Sequence, residues 1–171
     1  MWTPLRQEIE QIKKDLKIPD DLLKTVNIND WKKIEANIFR QFCKTKPGFN
    51  KNPAWISNCL KHETYSVGLN NFPFKEIEEL LKEEQQIWFF VNETVNEKTK
   101  FWYYEGKVKP ILEVINNSAL IDEIYLASKK YEWLICFNHH DVFIISGEKM
   151  IEKLKTNLLL FSTETNIKKN C

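Results

Sequence analysis

The sequence predicts an α+β fold: a mainly antiparallel sheet of about five strands with helices packed on it, behind a helical N-terminal part. Three observations carry this. Apolar residues repeat at helical spacing from the start, as in Leu5, Ile9, Ile12 and Leu16. From Ile87 onward, short β-branched and aromatic runs replace that period. The links between these runs are short, which favours antiparallel neighbours. The 171 residues suit a single domain. It is expected over 1–161, mainly helical to 85 and sheet-forming from 86, with a loose polar tail at 162–171.

Thr3 followed by Pro4 starts the first helix, which should end before Pro19. Leu22, Leu23 and Val26 suggest one or two further helical turns. Asn29 or Asp30 can cap a second helix, whose Trp31, Ile34, Ile38 and Phe42 make one apolar stripe. Prolines at 47, 53 and 73 mark a mostly irregular stretch, with a short element near 54–61 and an extended piece at Tyr65 to Gly68. Phe74, Ile77, Leu80 and Leu81 indicate a third helix closing near Gln85. Ile87 to Val91 and Phe101 to Tyr104 form a hairpin across a polar loop. Pro110 to Ile115 is helical, and strands follow at Ile124 to Ala127, Glu132 to Phe137 and Asp141 to Ile145. The strand-rich half therefore reads ββ-α-βββ-α, and a last helix runs from about Glu148 with Met150, Ile151, Leu154 and Leu158 facing inward. Trp133, Ile135 and Phe137 alternate with the equally apolar Leu134 and Cys136, so that strand should be central and covered on both faces.

Composition excludes more than it selects. Residues 1–86 carry 14 basic and 13 acidic groups and residues 87–171 carry 11 of each, so no basic lobe exists to bind nucleic acid or a membrane surface. Arg6 and Arg40 are the only arginines, which weakens phosphate recognition further. Four glycines leave no room for a Gly-rich nucleotide loop. Cys43, Cys59, Cys136 and Cys171 include no C-x-x-C pair, so no zinc site is expected and free thiols fit best. No window approaches a membrane span and no leader pattern opens the chain, so a cytoplasmic protein without a cofactor is expected.

Asn138-His139-His140-Asp141 holds two of the three histidines beside a carboxylate. One imidazole could act as a general base oriented by Asp141, with Cys136 as a candidate nucleophile. Equally, Asn, His and Asp are turn formers whose side chains bond local backbone. On that architectural reading Trp133→Ala should cost ~3–5 kcal/mol, and His139→Ala and His140→Ala only ~1 kcal/mol each. Glu76, Glu78, Glu79, Glu83 and Glu84 make an acidic run, either a solvated helix face or a patch able to fill a basic cleft. Phe101-Trp102-Tyr103-Tyr104 puts two aromatics on each sheet face: one pair belongs in the core, and the other could form an interaction patch.

The segment Phe101-Trp102-Tyr103-Tyr104-Glu105-Gly106, the stretch Ser128-Lys129-Lys130-Tyr131-Glu132-Trp133-Leu134-Ile135-Cys136-Phe137-Asn138-His139-His140 and Gly147 resemble a family of small uncharacterised bacterial proteins. These share an FW-Y-EG segment, an S-K-K-x-x-W-L-x-C-x-N-H-H hairpin and a following glycine, and the resemblance covers about 85–150. The family has no established activity. Its size and style are similar to those of immunity proteins that neutralise toxins of interbacterial competition. The leading expectation is therefore a non-enzymatic immunity-type protein that occludes a cognate toxin. Its contact residues are sought among Trp102, Tyr104, Glu79, Glu83, Asn138, His139, His140 and Asp141. The alternative is a small hydrolase or transferase using the His139-His140-Asp141 turn.

Overall fold

The computed structural model describes residues 3–44, 55–93, 96–97 and 100–167, and the side chains of the last helix as far as Asn157. Pro4 opens α1 (Pro4–Asp15) at the first helical position, where a missing N–H costs nothing. Leu5 and Ile9 are buried against the sheet, whereas Leu16 falls past the helix end and is exposed. The next segment, β1 (Leu23–Thr25), is a strand where the sequence suggests helical turns. In α2 (Trp31–Phe42) the expected stripe is buried through Ile34, Ile38 and Phe42. A 3-10 turn at Ile56–Cys59 leads to β2 (Thr64–Gly68). α3 (Phe74–Leu80) stops earlier than the sequence suggests, leaving Glu83 and Glu84 in the turn that follows.

The remaining order is β3 (Gln86–Asn92), β4 (Trp102–Lys107), α4 (Val108–Asn117), β5 (Glu123–Ser128), β6 (Leu134–Phe137), β7 (Val142–Ser146) and α5 (Glu148–Ile167). α5 thus runs through much of the segment expected to be a loose tail. The described residues form five α-helices and one antiparallel sheet of seven strands, ordered β1-β4-β3-β5-β6-β7-β2. The count exceeds the expected five because β1 and β2 come from the N-terminal half and close the two edges. β1 has three residues, too few to show alternation, and β2 offers only Tyr65 and Val67 as apolar positions.

Helices cover both faces of this sheet. On one face α1, α3, α4 and α5 pack over Phe89, Leu126, Ile135, Phe143 and their neighbours. On the other, α2 and the 56–59 turn cover Phe90, Tyr103, Tyr125, Leu134, Cys136 and Ile144. Phe90 stacks on Tyr125 with ring centroids 4.9 Å apart and planes 6° from parallel. Cross-strand register sets this contact, since Phe90 pairs with Tyr103 on one side and Tyr125 on the other. The aromatic run of β4 is therefore not divided into a buried and an exposed pair. Phe101, Tyr103 and Tyr104 are all buried, and Trp102 is half-buried.

Trp133 is buried, but it lies one residue before β6 rather than in mid-strand. Gly147 sits directly over it. A Cβ at position 147 would come within 2.7 Å of the Glu132 carbonyl oxygen and 2.8 Å of the Trp133 Cβ, and Gly147 has φ +120°. Only glycine fits so close an approach in that conformation. Trp133→Ala should lower stability by ~3–5 kcal/mol through lost burial and a cavity. Gly147→Ala should cost about 1–3 kcal/mol through strain alone. Denaturant titration checks both, and wild-type midpoints would contradict this account of the junction.

Candidate functional site

The site begins with the turn joining β6 to β7. Asn138 accepts the Asp141 N–H on its carbonyl (2.9 Å), while its side-chain oxygen accepts the N–H groups of His140 (3.1 Å) and Val142 (3.0 Å). Asp141 takes a left-handed conformation at φ +57°, which Asn and Asp tolerate better than most residues. Its carbonyl also accepts the Leu69 N–H at 2.8 Å. Asn138 and Asp141 thus build the turn, and the two imidazoles project from it.

His139 folds back onto the end of β5. Its Nδ1 lies 2.5 Å from a Glu123 carboxylate oxygen, and its backbone N–H points at the same oxygen from 3.3 Å. Glu123 is fully buried, whereas the His139 side chain is 30% exposed. A carboxylate only accepts, so this contact places a proton on Nδ1 and fixes the orientation of the ring. The other Glu123 oxygen accepts from the Tyr125 hydroxyl. Burial, reinforced by the charges of Cys136 and Glu123, pushes the Tyr125 phenol well above its usual value, so it stays protonated and donates. Tyr125 Oη in turn accepts the Ile56 N–H at 3.3 Å. A continuous chain of bonds therefore links the 56–59 turn, β5 and the histidine turn. The ring centroids of Trp55 and His140 lie 5.6 Å and 4.0 Å from that of His139.

His139, with Asn138 and Asp141, also borders an open groove of about 360 Å³ whose floor includes Phe72, Ile115, Ile124 and Phe137. A depression of about 580 Å³ lies at the other end of β7, beside Gly147. It is rimmed by exposed side chains such as Glu63, Glu132, Glu148 and Lys155, and includes none of the candidate contact residues.

The other sequence-derived candidates fall elsewhere. Tyr104 is fully buried between α1 and the sheet, and burial pushes its phenol well above the ordinary value, so it packs the core and offers a partner nothing. Trp102 is half-buried, with the Arg6 guanidinium 4.8 Å and the Lys100 ammonium 4.0 Å from its ring centroid, and its indole N–H donates to Thr3 and Glu97. Glu79 lies 4.0 Å from the Lys75 ammonium and Glu83 3.7 Å from that of Lys109, so both candidates already have a lysine partner. Cys136 is completely buried and burial raises its thiol strongly, which removes it as a nucleophile. The carboxylate that orients His139 is Glu123, 16 residues earlier in the chain, rather than the adjacent Asp141. Among the described residues no cluster of three or more His, Cys, Asp or Glu side chains is placed to hold a metal ion.

This geometry separates the two histidines, for which the sequence alone suggests equal and small effects. Truncating His139 strips a buried carboxylate of a partner and should cost about 1.5–3 kcal/mol, against ~0.5 kcal/mol for exposed His140. Glu123→Ala should cost about 3–5 kcal/mol and Glu123→Gln clearly less, because the amide keeps an acceptor and the volume. Equal melting temperatures for the His139→Ala and His140→Ala variants would refute the anchoring role of Glu123.

No curated protein and no solved structure matches the sequence. A family model does, over residues 1–157, and the chain belongs to that family, DUF6756, a family of unknown function.

Proposed function

We propose that this protein is an immunity-type binding protein that neutralises a cognate bacterial toxin by occluding it. The observation that carries this reading is the ring cluster of Trp55, His139 and His140, displayed at the sheet end, with His139 anchored on a fully buried carboxylate. Exposed rings held in place before binding lose little conformational freedom on contact, which is the property of interface anchors. Occlusion asks for a rigid complementary surface, on the order of 1,600 Å² in total for a standard complex. The groove beside His139 would receive a protruding segment of the toxin, and the covered sheet behind it would keep the surface rigid.

Trp55 and His140 are both exposed, so their truncation can be read as a binding effect rather than a folding one. Co-expression with the product of a neighbouring toxin gene should protect growth and yield a complex. Trp55→Ala or His140→Ala should weaken that complex about 10–100-fold while leaving the melting temperature near wild type. Absence of both protection and a complex would sink the proposal.

A second reading, a small hydrolase or transferase, is favoured by one contact: the buried Glu123 carboxylate orients the His139 ring through Nδ1 at the edge of the groove, as a general base requires. With Cys136 buried, the nucleophile would be water or a substrate group lying in the adjacent groove. A screen of ester, amide and phosphoester substrates tests this. His139→Gln should reduce any turnover by about 10²–10⁴-fold, and unchanged turnover would assign the activity elsewhere.

A further inference from the structure

A second chemical grouping lies on the α2 side of the sheet and has no part in either reading above. Cys43 follows α2 in extended conformation, and Cys59 closes the 3-10 turn. Lys44 N–H donates to the Cys59 carbonyl (2.7 Å) and Lys61 N–H to the Phe42 carbonyl (2.9 Å), so two backbone bonds straddle the pair. Cys43 and Leu60 are antiparallel bridge partners within this short ladder. The Cys59 thiol donates to the Ile56 carbonyl at 3.2 Å, and the two thiols lie close enough for each to shift the other's acidity. Both cysteines are unpaired by disulfide here.

The two sulfurs are not equivalent. Cys43 is buried and Cys59 half-buried. Donation from Cys43 to Cys59 pushes the Cys43 thiol up, and its burial adds to this. The same hydrogen bond, helped by the positive charge of Lys44, draws the Cys59 thiol below its ordinary value despite partial burial. A more acidic, reachable sulfur beside a protonated one is the division of labour between an attacking and a resolving cysteine.

We propose that Cys43 and Cys59 form a redox-active dithiol that hydrogen peroxide closes to a disulfide. In the first step the Cys59 thiolate attacks one peroxide oxygen. An S–O bond forms, the O–O bond breaks and hydroxide leaves, so the sulfur is oxidised and the peroxide reduced. In the second step the Cys43 sulfur attacks the sulfenic sulfur. The S–S bond forms, the S–O bond breaks, and the Cys43 proton leaves with the departing hydroxide as water. In sum, two thiols and one peroxide give one disulfide and two waters. The backbone ladder brings the two segments together, with Cys59 adjacent to Leu60, the bridge partner of Cys43. The crosslink would fasten the 56–59 turn, whose Ile56 N–H reaches Tyr125, to the end of α2.

The test uses the full chain with Cys171→Ser, which removes a competing thiol. After peroxide treatment, unfolding and maleimide blocking, peptide mapping should show a Cys43–Cys59 crosslink that dithiothreitol reverses, with Cys136 alone blocked. Adding Cys43→Ser should stop Cys59 at the sulfenic acid, trapped by dimedone. Adding Cys59→Ser should leave Cys43 reduced at the same dose. Cys59 in the unoxidised protein should keep reacting with iodoacetamide at pH values where a free-cysteine peptide has lost most of its thiolate, because its thiolate persists to lower pH. Oxidation of Cys59 to sulfinic acid with Cys43 still free would overturn the proposal. So would a crosslink between two chains, or two thiols that stay fully blockable at doses oxidising a cysteine peptide.

Discussion

The constraint on which the structure depends is that its sheet is covered on both faces. β3, β5 and β6 have no solvent side to which a polar residue can be turned, so they are filled with Phe, Tyr, Ile, Leu and Cys on both alternations. One carboxylate interrupts this apolar centre. Glu123, at the first position of β5, is completely buried, and a buried carboxylate is tolerated only where donors converge on it. The Tyr125 hydroxyl, the His139 ring and the His139 backbone meet that demand. The position and orientation of His139 therefore follow from the need to satisfy Glu123 as much as from the turn that carries it.

Both functional readings rest on this arrangement and differ in what they ask of it. Binding needs rings held still, and the Glu123 contact on one side of the His139 ring with Trp55 and His140 around it does that. Chemistry needs more: a nucleophile or activated water next to Nε2 and groups to stabilise developing charge. The nearest thiol on that face, Cys136, is sealed in the core, and Asp141 serves the turn through its backbone. The arrangement is therefore more nearly complete as an anchoring surface than as a reaction centre, which is why the binding reading leads.

The sequence made the outline of the fold legible because periodicity reports burial, and burial here is strong. Ile34, Ile38 and Phe42 read as one helix stripe, and they are one. The run from Trp133 to Phe137 reads as apolar on both faces, and β6 is buried on both. What stayed illegible is what depends on pairing across the chain. β1 is a strand only because Leu23, Lys24 and Thr25 meet Gly106, Glu105 and Tyr104, and three residues carry no period of their own. The aromatic run of β4 reads as divisible into core and surface, but α1 and α2 cover its opposite faces. The histidine turn was visible in its residue types, but its partner Glu123 was not. That glutamate stands among strand residues at a distance no local motif spans, and only the antiparallel register of β5 with β6 brings it beneath the turn.

Tyr125 shows how core and site are made of the same parts. Its ring stacks on Phe90 in the packed face under α2, while its hydroxyl donates to Glu123 and accepts from Ile56. Packing fixes the ring, the ring fixes the hydroxyl, and the hydroxyl fixes both the carboxylate and the start of the 56–59 turn. Next to that start stands Trp55, and at the turn's end stands Cys59, tied through the backbone to Lys44 beyond α2. Trp55 and Cys59 therefore stand at opposite ends of one four-residue turn, whose first residue is bonded by Tyr125. The Tyr125 hydroxyl and the burial of Ile56 hold this turn to the sheet, and the Lys44–Cys59 backbone bond holds it to the end of α2.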